Sequence, residues 1–205
     1  ATANDGVLAA RYGKVVLLNN DVKLAPDFLV SVPRNFNDPE VFALRPGLTD
    51  TPGGGVMAER RLGGRFRLGQ FSVPAASRAG ALTAFFAGGG ASAFDREKFL
   101  ELGGFDELFA PFYSEDVDLS YRAWKRGWKI VYDPGCLAWH RGGATITKFH
   151  AKPYISAVSE RNGYLLIWKN ITEPGLLITH FFFFPLRIGY YLLKGERAPL
   201  KGFLM

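Results

Sequence analysis

One cysteine, Cys136, stands in a chain of 205 residues. An internal disulfide and a paired-cysteine metal motif are both excluded, a reducing compartment is the economical reading, and Cys136 itself is expected to be a small buried apolar side chain. No glycine loop is followed by Lys-Ser or Lys-Thr, which removes a P-loop. Nucleophilic hydrolase chemistry has no local signature, and no repeat recurs at solenoid or propeller periods. The first residues, Ala1 to Asn4, carry neither a basic n-region nor an apolar h-region. With no initiator Met and a strand-like run after only thirteen residues, the chain is expected to be the later part of a longer protein.

The composition describes a chain able to bury a substantial core, with 48% apolar residues and only 21% charged. A net charge of +6 favours phosphorylated ligands, anionic membrane or nucleic acid without separating them. Val15 to Leu18 reads as a short parallel strand with both faces covered. A helix with Pro26 in its first turn comes after it, holding Phe28, Leu29 and Val32 and ending before Pro33. Val41 to Leu44 is the next candidate strand. From Thr49 to Gly80 the texture turns to glycine, arginine and proline, including Gly53-Gly54-Gly55 and Arg60-Arg61. That reads as a long surface excursion with a hairpin around Phe66 to Val73. Order resumes at Leu82 to Phe86, and after Gly88-Gly89-Gly90 come a short strand to Phe94 and a helix from Asp95 as N-cap to Gly103 as stop. A second helix opens at Ser114 as N-cap and ends at Gly127, with Val117, Tyr121, Trp124 and Trp128 on one face. Ile130 to Tyr132 and Cys136 to His140 are expected to pair as strands across an Asp133-Pro134-Gly135 turn.

Gly175 to Leu193 is almost wholly apolar but is interrupted by His180, Pro185 and Arg187. A span needs about 20 apolar residues, and an arginine near its middle costs about 2.5 to 3.5 kcal/mol on insertion scales. The sequence therefore favours a segment lying in a membrane interface, with Lys194, Arg197 and Lys201 against anionic headgroups. A core helix or a subunit contact is the alternative.

Two acidic signatures carry the chemistry. Asn19-Asn20-Asp21 directly follows the apolar strand, in the crevice where open α/β sheets bind ligands. A hard divalent cation there would take carboxylate and diphosphate oxygens together. The same residues also make turns by bonding their own backbone. Glu115 and Asp116 open a helix, where acids interact favourably with the dipole for about 0.3 to 1 kcal/mol; a positioned carboxylate there can also accept a proton. His140, after a short apolar strand, is a structural residue or a metal ligand.

Taken in order, Val16-Leu17-Leu18-Asn19-Asn20-Asp21, Gly103-Gly104-Phe105-Asp106-Glu107, Glu115-Asp116-Val117-Asp118-Leu119-Ser120-Tyr121-Arg122 and Trp139-His140 resemble the family 2 glycosyltransferases, in particular bacterial rhamnosyltransferase-like members. The likeness runs from about Asn4 to His140 and more loosely through Arg161-Asn162. It implies an α/β fold, a partial GT-A (Rossmann-like) mixed sheet flanked by helices, with an apolar C-terminal helical tail. Residues 1–150 would be the C-terminal part of the catalytic domain and 151–205 a helical, membrane-associated tail.

The resemblance also implies a nucleotide-diphospho-sugar donor, a glycan or lipid-linked acceptor, Mg or Mn, and inversion at the anomeric carbon. Asp21 matches the last acid of the family's DXD-type motif, with Asn19 where many members have the first acid and Asn20 between them. Asp116 matches the general base, with Glu115 beside it. His140 matches a histidine that completes the metal shell in some members, and Gly88, Gly89 and Gly90 would line the acceptor side. The region that binds base and ribose in the family does not precede Ala1, so the fragment alone is expected to be weak or inactive. The edge this leaves at Val15 would favour pairing with another chain, as in a homo-oligomer.

A noncatalytic module that binds membrane or polyprenyl phosphate is the alternative function. A nucleic-acid module is the weaker rival, because the arginines from Arg60 to Arg67 sit beside a single aromatic, Phe66, in no recognised nucleic-acid fold. The nearest-looking donor is dTDP-rhamnose, and the expected location is the cytoplasmic face of the cell membrane.

Overall fold

A computed structural model of the chain describes residues 2–49, 63–72, 82–140 and 144–205. Gly53-Gly54-Gly55, Arg60-Arg61 and Arg141-Gly142-Gly143 lie outside the described residues, as does the side chain of His140. Two compact units are present, one within Ala1–Gly63, Val73–Asp106 and Asp116–Gly142, the other within Gly64–Ser72, Glu107–Glu115 and Gly143–Met205.

The first unit is built on a mixed sheet. Its strands are β1 (Lys14–Leu18), β2 (Val22–Leu24), β3 (Val41–Thr49), β6 (Ala91–Asp95) and β7 (Lys129–His140), in the order β1-β6-β3-β7-β2. Only β3 and β7 run parallel; β1 pairs antiparallel with β6. The parallel, doubly covered strand expected at Val15 to Leu18 is thus an antiparallel edge strand among the described residues, and Val15 is its one buried residue. Strand direction is fixed by pairing at long range, on which a five-residue apolar run is silent.

Ala43 and Leu44 on β3, and Ala93 and Phe94 on β6, divide between two apolar clusters, as the alternation of a strand requires; the register shift between Val41 and Ala43 puts Phe42 on the same side as Ala43. Ala43 and Phe94 join Phe42, Phe99, Leu119, Ala123 and Ile130, whereas Leu44 and Ala93 join Phe28, Val32, Cys136 and Ala138. Cys136 is fully buried, as expected, and burial pushes its thiol up to about 12.

The helices of this unit are α1 (Thr2–Ala9), α2 (Phe28–Arg34), α3 (Arg96–Glu101) and α4 (Glu115–Lys125), the last beginning one residue before the unit's boundary. Helix α2 runs through Pro33 instead of stopping before it. Asp95 caps α3 as the sequence predicts, accepting from the Lys98 N–H at 3.1 Å. On α4 the fully buried residues are Asp118, Leu119, Ser120 and Ala123, not the Val117–Tyr121–Trp124 face. Asp118 can enter the interior because Arg122 pairs with it at 2.7 Å. Ser114 has φ 75°, outside the extended conformation of an N-cap.

The strand pair expected around Asp133-Pro134-Gly135 is one continuous strand. Between Pro46 and Gly47 the register on β7 jumps from Asp133 to Leu137, so β3 advances one residue while β7 advances four. This bulge absorbs Pro46, which has no N–H for the ladder. A side chain on Gly47 would meet the Pro134 carbonyl oxygen at 2.8 Å, so glycine is what lets the bulge lie on β3. Leu82 to Phe86 contributes only an isolated bridge, Thr83 to Val131.

The second unit contains the hairpin expected around Phe66, β4 (Arg65–Arg67) with β5 (Gln70–Ser72), a short 3₁₀ turn at Glu107–Phe109, and helices α5 (Ala144–Phe149), α6 (Lys152–Asn170), α7 (Pro174–Lys194) and α8 (Arg197–Leu204). Helix α8 lies against α6 so closely that a Cβ on Gly202 would collide with the Ala157 carbonyl.

Between α3 and α4, Gly104 has φ 70°, and a Cβ there would fall 2.6 Å from Asn4 Oδ1 and 2.9 Å from Phe99 Cε1. Gly104→Ala is therefore expected to destabilise the protein by about 1–3 kcal/mol. Urea denaturation would read this as a lower midpoint at unchanged slope.

Candidate active site

The segment from Phe85 to Gly90 is suspended between α4 and the end of β1. The Trp124 indole N–H donates to the Phe85 carbonyl at 2.9 Å, and the Ala87 N–H donates to Ser120 Oγ at 3.1 Å. At its far end the Asn19 N–H donates to the Gly90 carbonyl at 2.9 Å. Arg45, buried in the middle of β3, donates to the Phe86 carbonyl at 3.1 Å and stacks its guanidinium 4.4 Å from the Phe86 ring centre.

These contacts carry the glycine run past the Asp116 carboxylate. A Cβ on Gly88 would sit 3.8 Å from Asp116 Oδ2, one on Gly89 3.7 Å from Phe105, and one on Gly90 3.1 Å from Asn19 Nδ2. Asn19, Gly88 to Gly90 and Asp116 are thus brought together. Asp116 is half-buried. Burial pushes its carboxyl above the ordinary aspartate value of 3.8, opposed by the Val117 N–H, the Arg45 guanidinium and the Gly89 N–H. The Val117 N–H donates to Oδ1 at 2.8 Å. Glu115, also half-buried, precedes it at the first position of α4.

Asn20 and Asp21 form the turn between β1 and β2, closed by the Val22 N–H donating to the Asn19 carbonyl at 3.2 Å. Val22 faces His140 in the β2–β7 register, so the His140 backbone lies one residue along from Asp21. Among the described residues no three His, Cys, Asp or Glu side chains are grouped to hold a metal ion by themselves.

Arg45 escaped the reading of the sequence. Its signal was a lone cation inside the apolar run Val41-Phe42-Ala43-Leu44, directly before Pro46. A charge at such a place is retained only with partners.

Residues 2–155 match the model of glycosyltransferase like family 2. The chain belongs to this family. No curated protein sequence matches the chain significantly.

Three solved structures share the fold of this glycosyltransferase family 2 chain. GalNAc-T7 with UDP, GalNAc and Mn2+ is 16% identical with a TM-score of 0.58, over 81% of this chain and 33% of that one. The mannosyltransferase PcManGT from Pyrobaculum calidifontis with GDP-Man and Mn2+ is 17% identical with a TM-score of 0.56, over 97% and 50%. S. aureus TarS with UDP-GlcNAc is 14% identical with a TM-score of 0.51, over 84% and 47%. The chain thus spans a third to a half of the length of each of these relatives. The mixed α/β sheet flanked by helices is the one the sequence led us to expect.

A carboxyl whose value is raised on folding holds its proton longer in the native state than in the unfolded one. Stability then falls as pH rises from the unfolded value through the folded one. Asp116→Asn is expected to raise Tm at neutral pH, with the gain vanishing on acidification below about pH 4, the unfolded aspartate range. Thermal melts of both proteins across that range check this.

Proposed function

We propose that this chain carries the catalytic base and diphosphate site of an inverting transferase that moves a sugar from a nucleotide-diphospho-sugar to a hydroxyl of a glycan or lipid-linked acceptor. The observation that carries the reading is Asp116, a carboxylate made more basic by burial and held beside a run of three glycines.

The residues perform separable tasks. Asp116 accepts the acceptor hydroxyl proton as that oxygen bonds to the anomeric carbon. The bond from that carbon to the diphosphate oxygen breaks at the same time, and nucleoside diphosphate departs. Such base assistance is worth about 10²- to 10⁴-fold. A raised value suits the task, because a more basic carboxylate pulls harder on the proton while remaining ionised above its own value. Gly88 to Gly90 keep side chains away from the acceptor.

Asp21 supplies one anionic oxygen at the β1–β2 turn, with Asn19 and Asn20 beside it and the His140 backbone adjacent. This donor set fits a Mg or Mn ion of the kind that one or two carboxylates hold beside a phosphorylated substrate. Asp21, with His140, would hold it. When bound, the ion neutralises charge developing on the leaving diphosphate. The two Mn2+ complexes among the relatives support a divalent ion without choosing Mn over Mg. The resemblance of the motifs to those of rhamnosyltransferase-like members makes dTDP-rhamnose the donor to try first.

The C-terminal unit supports a peripheral membrane role, at the cytoplasmic face where a cytosolic donor is supplied. Helix α7 is long and apolar enough to cross a bilayer by length and composition. One stripe of it, however, is tied by polar groups. His180 Nδ1 donates to the Gly69 carbonyl at 2.6 Å and its Nε2 accepts from Trp168 at 3.0 Å. Arg187 donates to the Leu68 carbonyl at 2.7 Å and Tyr191 to Glu160 at 3.2 Å. The other side exposes Ile178, Phe181, Phe182, Leu186 and Leu193. A crossing helix would have to strip those bonds in hydrocarbon, whereas a helix lying in the interface keeps them.

Calorimetry tests the chemistry. Nucleoside diphosphate binding is expected to need Mn, to weaken by at least about 10-fold in Asp21→Ala, and to survive in Asp116→Asn. The same Asp116→Asn change should lower kcat of the natural protein by about 10²- to 10⁴-fold. An Asp116→Asn enzyme that turns over at the original rate removes the base assignment.

Vesicle sedimentation tests the membrane role. Binding is expected with anionic lipid, to weaken in high salt, and to be lost in Phe181→Glu/Phe182→Glu. Equal binding to neutral vesicles would rule out the headgroup contacts of Lys194, Arg197 and Lys201.

A further inference from the structure

Asp116, Ser120 and Trp124 follow one another at four-residue intervals along α4. Four residues turn a helix by about 40° more than a full revolution, so the three side chains lie along one stripe, each about 6 Å further down the axis. The segment from Phe85 to Gly90 passes that stripe in the opposite direction. The Trp124 indole donates to the Phe85 carbonyl at 2.9 Å, and Ser120 Oγ accepts from the Ala87 N–H at 3.1 Å. The next pair in this series is Asp116 with Gly89, whose N–H favours the ionised Asp116 carboxyl. Two residues of extended chain cover about 6.6 Å, close to the rise of four helical residues, so the two periods keep step over all three pairs.

The intervening residues are held from the other edge. The Phe86 carbonyl accepts from Arg45 at 3.1 Å and the Gly90 carbonyl from the Asn19 N–H at 2.9 Å. Backbone groups of successive residues thus point alternately to α4 and away from it, as in a strand, and a slip of one residue would turn the Gly89 N–H away from Asp116. Gly88, Gly89 and Gly90 cannot prevent that slip themselves, having no side chains to pack and the most backbone freedom to lose. Their register has to come from the residues before them. Ser120, buried, and Trp124, half-buried, are where α4 grips those residues.

We propose that Ser120 and Trp124 are positioning residues for the transfer step. By holding Ala87 and Phe85 they set the register in which the glycine run passes the Asp116 carboxylate. This rests on Asp116 being the base.

The test is a kinetic cycle on the natural protein with Ser120→Ala and Trp124→Phe, singly and together, in the original and the Asp116→Asn backgrounds. Ser120→Ala removes one oxygen and Trp124→Phe keeps an aromatic ring without the N–H, so either carries the test where the other fails to fold. Each is expected to lower kcat by about 10-fold and the pair by about 100-fold, the loss that displacement of a reacting group by about 1 Å brings, with donor KM unchanged. In the Asp116→Asn background they should lower kcat hardly further, since no base is left to be in register with. The pH profile gives a second reading. Asp116 is faced by the Arg45 guanidinium from β3, the Gly89 N–H and the Val117 N–H of its own helix, with Glu115 next to it in sequence. Withdrawing the Gly89 N–H removes a group that favours the ionised carboxyl, so the ascending limb of kcat against pH should move to higher pH in Ser120→Ala. Equal losses in both backgrounds with the limb unmoved mean general loss of folded enzyme and overturn the proposal. Full turnover in Ser120→Ala and Trp124→Phe while Asp116→Asn is inactive overturns the positioning role alone. Full turnover in Asp116→Asn overturns the base assignment and the positioning role with it.

Discussion

The buried ion pair between Asp118 and Arg122 is the constraint on which the first unit depends. Asp118 is wholly inaccessible, and Arg122 meets it one helical turn on while also donating to the Leu102 and Gly104 carbonyls. One guanidinium thereby fixes α4 to the end of α3 and to the Gly103-Gly104 turn. Asn4 holds the next residue, exchanging two hydrogen bonds with the Phe105 backbone at 2.8 and 2.9 Å. Removing one partner of such a pair typically costs about 3–5 kcal/mol, because a charge is left buried without compensation. Helix α4 can hold Asp116 beside the glycine run at its N-terminal end because its middle is immobilised in this way.

The opposite wall of the site is held by different means. Nothing between Phe85 and Gly90 belongs to a strand or helix, and four of its backbone groups, the Phe85, Phe86 and Gly90 carbonyls and the Ala87 N–H, are met by Trp124, Arg45, Asn19 and Ser120. Side chains from α4, β3 and the end of β1 thus substitute for a ladder. Irregular backbone kept in place by a rigid frame is a common setting for binding, since the frame holds position while the loop offers groups to a ligand.

Local chemistry was legible and long-range pairing was not. The Asp95 cap and the hairpin at residues 65–72 rest on contacts within a few residues, and the sequence carries both. Asp133-Pro134-Gly135 shows the opposite case. An Asp133 carboxylate accepting from the Gly135 N–H at 2.9 Å is the local bond of a turn, and it forms. Only the distant presence of β3 decides that the chain carries on as a bulge instead of folding back. For the same reason Asn19, Asp116 and the glycine run could be named from motif order, whereas the Arg45 contact to Phe86 and the grip of Trp124 on the Phe85 carbonyl could not. Each depends on elements separated by about 40 positions.

The four letters Glu115-Asp116-Val117-Asp118 contain two devices. Residues two apart on a helix point about 200° away from one another, so Asp116 turns to the glycine run and Asp118 to the interior. Their fates under drift are therefore independent. A relative that gave up chemistry would still need the inner aspartate to fold, and would keep much of the motif for that reason alone. On the role proposed for Asp116, replacement of the outer acid with the inner one retained would mark a relative that keeps the fold without the reaction, and a match to the whole string would speak for the fold before it speaks for the chemistry.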